Sequence, residues 1–366
     1  MTASQPAPAL ILDSDVAELT RVICDIESVS GNERAIADAI ESALSALPHL
    51  EVIRNADAIV ARTNLGRASR VIIAGHIDTV PVADNLPIES RVIDGEPVLW
   101  GRGTVDMKAG AAVQLKLAAT VTEPVHDVTW IFYDHEEVDA ALNGLGRISR
   151  EHPELLTGDF AILCEPTAAL VEGGCNGTLR AEIRTRGVKA HSARPWMGSN
   201  AIHAAAEALT RLAAFEPESI EVDGLVYRES LNAVLISGGI ATNVIPDANV
   251  ITVNYRYAPS KNHDQAEAQL RAIFAGLDVE IAITDFADGA RPGLDLPAAQ
   301  AFIQATGTEP RPKYGWTDVA RFSALGIPAI NFGPGDPNKA HADDENVPVA
   351  QIYACESALR KWLTAN

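Results

Sequence analysis

The chain has 366 residues, of which 47% are hydrophobic, so it can bury a large core and is long enough for two domains. Acidic residues outnumber basic ones by 49 to 29, which gives a formal net charge of −20. A surface of that sign repels nucleic acid and anionic lipid, so we expect neither as a partner, and an anionic substrate would need a locally positive pocket.

The cysteine pattern and the apolar segments predict the cellular compartment of the protein. Four scattered cysteines without a C-x-x-C pair favour a reducing compartment over a disulfide scaffold: Cys24, Cys164, Cys175 and Cys355. Residues 1–15 lack the basic and apolar regions of a secretion signal. The apolar stretch 109–121 is interrupted by Gln114 and Lys116 and is too short to span a bilayer. We therefore expect a cytoplasmic protein.

The first 165 residues alternate between segments of helical and of extended character. Apolar residues recur at helical spacing in 15–27, 33–47 and 107–121. Short runs rich in β-branched or aromatic residues, at 70–74, 128–133 and 160–164, predict buried strands. Such alternation predicts the α/β class, with a mostly parallel sheet and helices on both of its faces.

The pattern changes after the glycine-rich turn 172–177. The next segments follow a strand–helix–strand–strand–helix–strand order, at 178–185, 200–214, 231–237, 249–257, 263–275 and 279–284. This order suits a small α+β layer with one exposed face. Residues 288–293 predict a linker, after which α/β character returns and ends in a helix at 347–363. We therefore predict one domain formed by 1–177 and 291–366, with an inserted domain at 178–290.

Polar residues cluster after the predicted strands of the first domain and in its glycine-rich loops. The clusters are Gly75–Val80, Gly101–Lys108, Asp134–Glu137, Leu163–Pro166 and, far downstream, Ala340–Glu345. Ligand sites in α/β sheets form just outside the carboxyl ends of the strands. Two histidines and several carboxylates from one sheet edge suit two zinc ions or similar divalent metals.

Each cluster taken alone also fits a structural role, such as a satisfied strand-end histidine, a solvated pair of glutamates or a simple turn. Other chemistries find less support, because the chain lacks G-x-G-x-x-G after a strand, the Walker motif, G-x-S-x-G and H-E-x-x-H. Residues 135–139 do not form the last of these, since position 139 is Asp. The clusters considered together favour a metal site.

The motifs G-H-x-D-x-V, G-R-G-x-x-D-M-K, C-E-P and A-H-x-x-x-E resemble those of the family of two-zinc deacylases and carboxypeptidases, the aminoacylase-like metallopeptidases. The resemblance extends over essentially the whole chain. It implies a zinc-peptidase-like catalytic domain and an inserted dimerisation or lid domain. It also implies a homodimer and two divalent metal ions, zinc in the first place, with cobalt or manganese as alternatives.

The resemblance also implies a role for individual residues. Asp78 would be the supporting acid and Glu136 the general base. Glu at position 165, where aminopeptidases of the family tend to have Asp, favours a deacylase. His135, just before the glutamate pair, departs from many relatives. The implied metal ligands are His76 and Glu165 for the first ion, Glu137 and His341 for the second, and Asp106 between both.

Within the inserted domain, residues 187–195 resemble the family motif G-x-x-A-H-S-A-x-P. The match implies that His191 reaches the active site of a partner subunit. Asn243, Arg256 and Thr178 match substrate-binding positions, although a turn asparagine and an ordinary strand arginine would explain the first two. Arg256 is the first candidate to bind a substrate carboxylate, because its fork pairs with one bidentately. Weaker candidates are Arg180, Lys189 and Arg194.

The family implies hydrolysis of the amide bond of an anionic acylamino acid. Residues 254–261, 313–322 and 331–335 resemble members that remove a succinyl group from a diaminopimelate-type amine in lysine biosynthesis. A sibling activity on acetylornithine or another acylamino acid stays open, because the metal motif serves amide hydrolysis in general. A non-catalytic binding protein on the same fold is a further alternative, but all five ligand positions and the base carry competent residues.

Overall fold

The structure, a computed structural model, describes residues 8–365. Residues 1–7, the first part of the segment that we predict to carry no secretion signal, lie outside the described residues. Within 8–365, none of the helices combines the length and the apolar character needed to cross a bilayer.

Strands make up most of the regular structure. In chain order they are β1 Glu51–Asn55, β2 Ala58–Arg62, β3 Arg70–His76, β4 Glu89–Ile93, β5 Glu96–Trp100, β6 Asp127–Tyr133, β7 Phe160–Leu163, β8 Glu172–Gly173, β9 Gly177–Arg186, β10 Ala190–His191, β11 Ser219–Val222, β12 Leu225–Arg228, β13 Ser230–Gly238, β14 Val244–Ile245, β15 Ala248–Tyr257, β16 Glu280–Ala287, β17 Arg311–Pro312, β18 Ala329–Asn331 and β19 Asn346–Pro348.

The α-helices are α1 Val16–Asp25, α2 Arg34–Ser45, α3 Lys108–Thr120, α4 Gly144–Glu151, α5 Ala201–Ala204, α6 Ala206–Ala213, α7 His263–Ile273, α8 Pro297–Thr306, α9 Val319–Ala324 and α10 Val349–Thr364. Short 3-10 helices lie at Pro153–Leu156, Pro195–Met197 and Pro337–Lys339. The helix expected at 200–214 is divided into α5 and α6 at Ala205, whose N–H bonds to carbonyls of α5.

The chain forms two compact units. The first consists of Met1–Gly173, Gly293–Arg311 and Thr317–Asn366, and the second of Gly174–Pro292 and Pro312–Trp316. The second unit therefore takes in residues 312–316, which the sequence analysis assigns to the catalytic domain.

The first unit is built around a sheet of strand order β1-β2-β6-β3-β7-β18-β8-β17. Its four central strands, β6, β3, β7 and β18, are mutually parallel, while β1, β2 and β8 pair antiparallel. Every residue of β6 and β7 is buried, as near-continuous apolar runs in a covered parallel sheet should be. The predicted α/β class with a mostly parallel sheet is confirmed.

Two glycines bring neighbouring segments against the end of β7. A Cβ atom at Gly110 of α3 would overlap the carbonyl oxygen of Cys164, and one at Gly333, after β18, would overlap the same oxygen. The absence of both side chains therefore lets helix and loop approach the backbone that leads into Glu165. A three-stranded sheet of β19, β5 and β4, which the sequence analysis did not predict, belongs to the same unit.

The second unit has a four-stranded antiparallel sheet of order β13-β15-β9-β16. Along β15, buried residues alternate with more exposed ones. The buried side chains of the sheet form one core with those of helices α6 and α7, and this core includes Leu179, Ile183, Ile251, Val253, Tyr255, Leu212 and Phe274. The opposite face carries polar side chains, among them Arg180, Asn254 and Arg256. The hairpin β11–β12 lies in this unit and was not predicted from the sequence.

We expect Gly110→Ala to destabilise the first unit by about 1–3 kcal/mol, because the new methyl group must displace a packed backbone. The midpoint of urea unfolding, followed by tryptophan fluorescence, measures the effect. Gly315→Ala is the control, since a Cβ there meets no atom within 4 Å and φ is ordinary. An unchanged midpoint for Gly110→Ala would contradict the close packing of α3 on β7.

Candidate metal centre

Three parallel strands deliver polar side chains to one edge of the first sheet. Strand β3 ends at His76, β6 is followed by the segment 134–137, and β7 is followed by Cys164 and Glu165. The register pairs His76 with Tyr133 and Ala74 with Leu163, so the three strands end at nearly the same level. Parallel strands thus bring residues far apart in sequence to a common edge.

Asp106 lies between two imidazoles. His76 Nε2 is 3.0 Å from Asp106 Oδ1, and His341 Nε2 is 3.4 Å from Asp106 Oδ2. His341 Nε2 also lies 3.0 Å from Glu137 Oε1 and 2.9 Å from Oε2. Ligand atoms of His76, Asp106 and Glu137 all lie within 4.8 Å of one another. Imidazole nitrogens and carboxylate oxygens so close together form a candidate site for divalent metal ions.

The electrostatics of this cluster favour a cation. Burial lowers the pKa of His76, but hydrogen bonds to Asp106 and Asp78 outweigh it and hold the pKa well above its usual value. Hydrogen bonds to Asp106 and Glu137 raise the pKa of His341 to about 10. Burial raises the pKa of Asp106, yet the hydrogen bonds from both imidazoles lower it overall. The carboxylates that hold protons on two imidazoles can hold metal cations at the same place.

Asp78 occupies the position expected of a supporting acid. Its Oδ1 lies 3.4 Å from His76 Nδ1, on the side of the ring away from Asp106. The carboxylate also accepts the N–H groups of Glu136 and Glu137 at 3.0 and 3.1 Å, and the hydroxyl of Ser30 at 2.6 Å. The buried Asp78 side chain therefore orients the imidazole of His76 and holds the backbone of Glu136 and Glu137 in place.

The carboxyl group of Glu136 has no hydrogen-bond or ion-pair partner among the described residues. Burial raises its pKa well above the usual value, and the charges of Asp318, Glu165 and Glu137 add to this, against an opposing effect of His76. A carboxyl group that readily takes up a proton suits an acid–base role. Glu165 itself is buried and acts on Glu136 through its charge, but it is not among the three closely grouped ligands.

Glu345, which the sequence analysis quoted without a role, holds the loop that carries Asp106. Its Oε1 accepts the N–H groups of Val105 and Asp106 at 2.8 and 3.1 Å, and its Oε2 pairs with Arg102 Nη1 at 2.8 Å. The Arg102 and Glu345 side chains are almost fully buried. The only sequence signal for Glu345 was its place at the end of the A-H-x-x-x-E motif, and that spacing does not show which loop Glu345 contacts.

In the second unit the structure brings His191 and Asn243 together. Strand β10 pairs with β14, and the N–H of Ser192 donates to the carbonyl of Asn243 at 3.0 Å. His191 is exposed, and its Nδ1 accepts the N–H of Ala193 at 3.1 Å. Because Nδ1 is an acceptor, the neutral ring carries its proton on Nε2, where it can donate to a ligand.

Arg256 and Thr178 are cross-strand neighbours on β15 and β9. The guanidinium of Arg256 is half-buried and makes no hydrogen bond or ion pair among the described residues. Burial lowers its pKa, and the nearby charge of Arg180 lowers it further. Thr178 is buried and accepts the side-chain amide of Asn254 at 3.3 Å. A partly buried arginine without a carboxylate partner is suited to bind an anion.

The fold and the site can now be compared with known proteins. Residues 72–365 match the family model described as peptidase family M20/M25/M40. The succinyl-diaminopimelate desuccinylase of Corynebacterium glutamicum is 48% identical over 370 residues, covering 99% of both chains. A Mycobacterium tuberculosis protein, provisionally named for the same activity, is 54% identical over 355 residues, covering 97% of this chain and 99% of its own.

Solved structures share the fold at lower sequence identity. A tripeptidase from Staphylococcus aureus superposes with a TM-score of 0.77 at 21% identity, over 95% of this chain and 96% of its own. A Bacillus subtilis protein described as a dinuclear metal-binding peptidase gives a TM-score of 0.67 at 16% identity, over 96% and 97%. The family predicted from the motifs is therefore confirmed, and the chain belongs to peptidase family M20/M25/M40.

Proposed function

We propose that the chain is a metal-dependent amide hydrolase that removes succinate from N-succinyl-LL-2,6-diaminopimelate. The observation that carries the proposal is the grouping of His76, Asp106, Glu137 and His341 near Glu136, whose carboxyl group has no partner within residues 8–365. Two relatives with 48% and 54% identity over nearly the whole chain are named for this activity, which supports the substrate.

Two divalent metal ions, zinc in the first place, would be held by the predicted ligands. Asp106 offers one oxygen toward each imidazole and is suited to lie between two ions. His76 and Glu165 would complete one site, and Glu137 and His341 the other. Bound there, the ions would polarise the amide carbonyl and make water more acidic. Cobalt and manganese would suit the same ligands.

The proton transfers fall to Glu136. Its carboxylate takes a proton from the attacking water as the water oxygen bonds to the amide carbon. The same carboxyl group then gives that proton to the nitrogen as the carbon–nitrogen bond breaks. The products are succinate and LL-2,6-diaminopimelate, so Glu136 ends the cycle in its starting form. Asp78 keeps the base in place through the backbone N–H groups of Glu136 and Glu137.

The free succinyl carboxylate calls for a positive group on a chain of net charge −20. Arg256 is the group that we propose, because its guanidinium is half-buried and unpaired within residues 8–365. Arg180 on the neighbouring strand already pairs with Asp285 at 2.9 Å. Thr178 and Asn243 would supply further hydrogen bonds to substrate. Acetylornithine, which has no second carboxylate on its acyl group, is the alternative substrate.

We further propose a homodimer in which His191 of each chain serves the site of its partner. Strand β13 is an edge of its sheet, and its side chains Val234, Leu235 and Ile236 are 52%, 69% and 54% exposed. An exposed apolar edge strand is a template for pairing with a second chain. The Nε2–H of His191 is suited to stabilise the developing oxyanion.

The cytoplasm is the compartment that we propose. The free thiols Cys24, Cys164, Cys175 and Cys355 are all buried, as expected of a protein that folds under reducing conditions.

Removal of His341 tests the metal ligands. We expect His341→Ala to lower the metal content from about two ions to about one per chain, because one site loses its imidazole. Inductively coupled plasma mass spectrometry after gel filtration measures it. His152→Ala is the control, since His152 lies 3.2 Å from Glu154 at the surface of the same unit. Two ions retained by His341→Ala would contradict its role as a ligand.

A mixing experiment tests both Glu136 and the shared site. Glu136→Ala should lower kcat by roughly 10²–10⁴-fold with its metal content intact. His191→Ala should also be inactive, and mixing the two variants under exchange conditions should restore about a quarter of wild-type activity through hybrid dimers. Mixing without recovery would show that each chain uses its own His191. Full activity of Glu136→Ala would remove it as the base.

Parallel assays of N-succinyl-LL-2,6-diaminopimelate and acetylornithine test the substrate. We expect turnover of the succinyl compound alone, and Arg256→Lys should raise its KM by roughly 10–100-fold, since a charged hydrogen bond contributes about 1.5–3 kcal/mol. Arg184→Ala is the control, because Arg184 already pairs with Glu182 and Glu280. Turnover of acetylornithine instead would support the proposed amide hydrolysis but contradict the proposed substrate.

A further inference from the structure

The turn after β6 presents three successive backbone N–H groups to carboxylates from other segments. His135 donates to Glu33 Oε1 at 3.2 Å. Glu136 and Glu137 donate to the two oxygens of Asp78 at 3.0 and 3.1 Å. Asp78 belongs to the metal motif, but no role has yet been given to Glu33, which lies 43 residues before His76 in the sequence.

Glu33 is a fully buried carboxylate without a lysine or arginine partner among the described residues. Its side chain is 0% exposed, and the imidazole of His135 lies near it, with Nδ1 at 3.4 Å from Oε1. Both of its oxygens accept the N–H of Gly31 at 2.9 Å. Burying a carboxylate is costly unless it is well hydrogen-bonded. The bonds to Gly31 lie within its own segment, so the bond to His135 is the one that joins it to the turn.

The segment that carries Glu33 is itself attached to the metal motif. The N–H of Ser30 donates to the carbonyl of Thr79, and the N–H of Thr79 donates to the carbonyl of Ser28, both at 3.0 Å. The Ser30 hydroxyl donates to Asp78 at 2.6 Å. Glu33 and Asp78 thus belong to one hydrogen-bonded frame that contacts the turn at three consecutive residues.

The backbone of the turn requires such a restraint. His135 has a φ of 58°, a left-handed conformation that residues other than glycine seldom adopt. Conformations of this kind persist where surrounding contacts enforce them. The N–H of His135, which Glu33 binds, belongs to that residue, and Glu136 follows directly.

We propose that Glu33 is a positioning residue for the general base: it holds the His135–Glu137 turn so that the Glu136 carboxyl group faces the reacting amide. The inference rests on the proposed hydrolase function. Glu33 does not touch substrate or metal; it acts through the backbone of the turn. A small displacement of a catalytic group is enough to lower turnover strongly.

The test compares two variants in which a carboxylate becomes a carboxamide. Glu33 binds the segment that follows β6, and Asp127 is the first residue of β6. Glu33→Gln should lower kcat by roughly 10–100-fold, with KM changed less than about twofold and metal content unchanged. Asp127→Asn is the matched control. The buried Asp127 carboxylate likewise accepts backbone N–H groups, from Leu65 at 2.7 Å and Arg67 at 2.9 Å. It should lower the melting temperature similarly and leave kcat unchanged.

Glu33→Asp provides a second variant in case the amide prevents folding. It keeps the charge but is shorter by one methylene, so it should fold and still lose the bond to His135, with a fall in kcat. Equal falls in kcat for Glu33→Gln and Asp127→Asn, or loss of metal from either Glu33 variant, would overturn the positioning role. An inactive wild-type enzyme would instead overturn the proposed function, and this inference with it.

Discussion

The charge of the Asp106 carboxylate is the constraint on which the rest of the centre depends. Its two oxygens face the imidazoles of His76 and His341, two residues that are 265 positions apart in the chain. A carboxylate in that place must be fixed in orientation, and Glu345 fixes it through the N–H groups of Val105 and Asp106. Glu345 thus holds the loop that carries Asp106 through the backbone N–H groups of that loop.

The two units differ in the kind of interaction they contribute. In the first, buried carboxylates meet imidazoles and backbone N–H groups at the edge of a parallel sheet, which creates a site for cations. In the second, the polar face of an antiparallel sheet carries Arg256, whose half-buried guanidinium has no ion pair among the described residues. The proposed succinyl substrate has a free carboxylate on its acyl group, which an acetyl group lacks, and Arg256 is one reason why we favour it.

Much of this could be predicted from the sequence, for physical reasons. Strands β3, β6 and β7 are continuous apolar runs, and polar residues such as His76 and Glu136 follow them directly, so both the sheet and its functional edge were predictable. Glu33 and Glu345 could not be predicted to act on the centre, because their partners are backbone N–H groups of distant loops, which leave no pattern in the side chains. The same holds for β10 and β14, two-residue strands that are too short for any periodicity.

The tyrosines on either side of Arg256 have a consequence for ligand binding. The Tyr255 hydroxyl donates to Glu229 or Gln269 at 2.8 Å, and the Tyr257 hydroxyl bonds to Ala287 and Asp288 at 3.0 and 2.9 Å. Side chains alternate along a strand, so both anchors lie on the face opposite Arg256 and immobilise the backbone from which its side chain projects. The backbone that carries Arg256 is therefore fixed in advance, so the anion that we propose to bind there would not have to order that backbone.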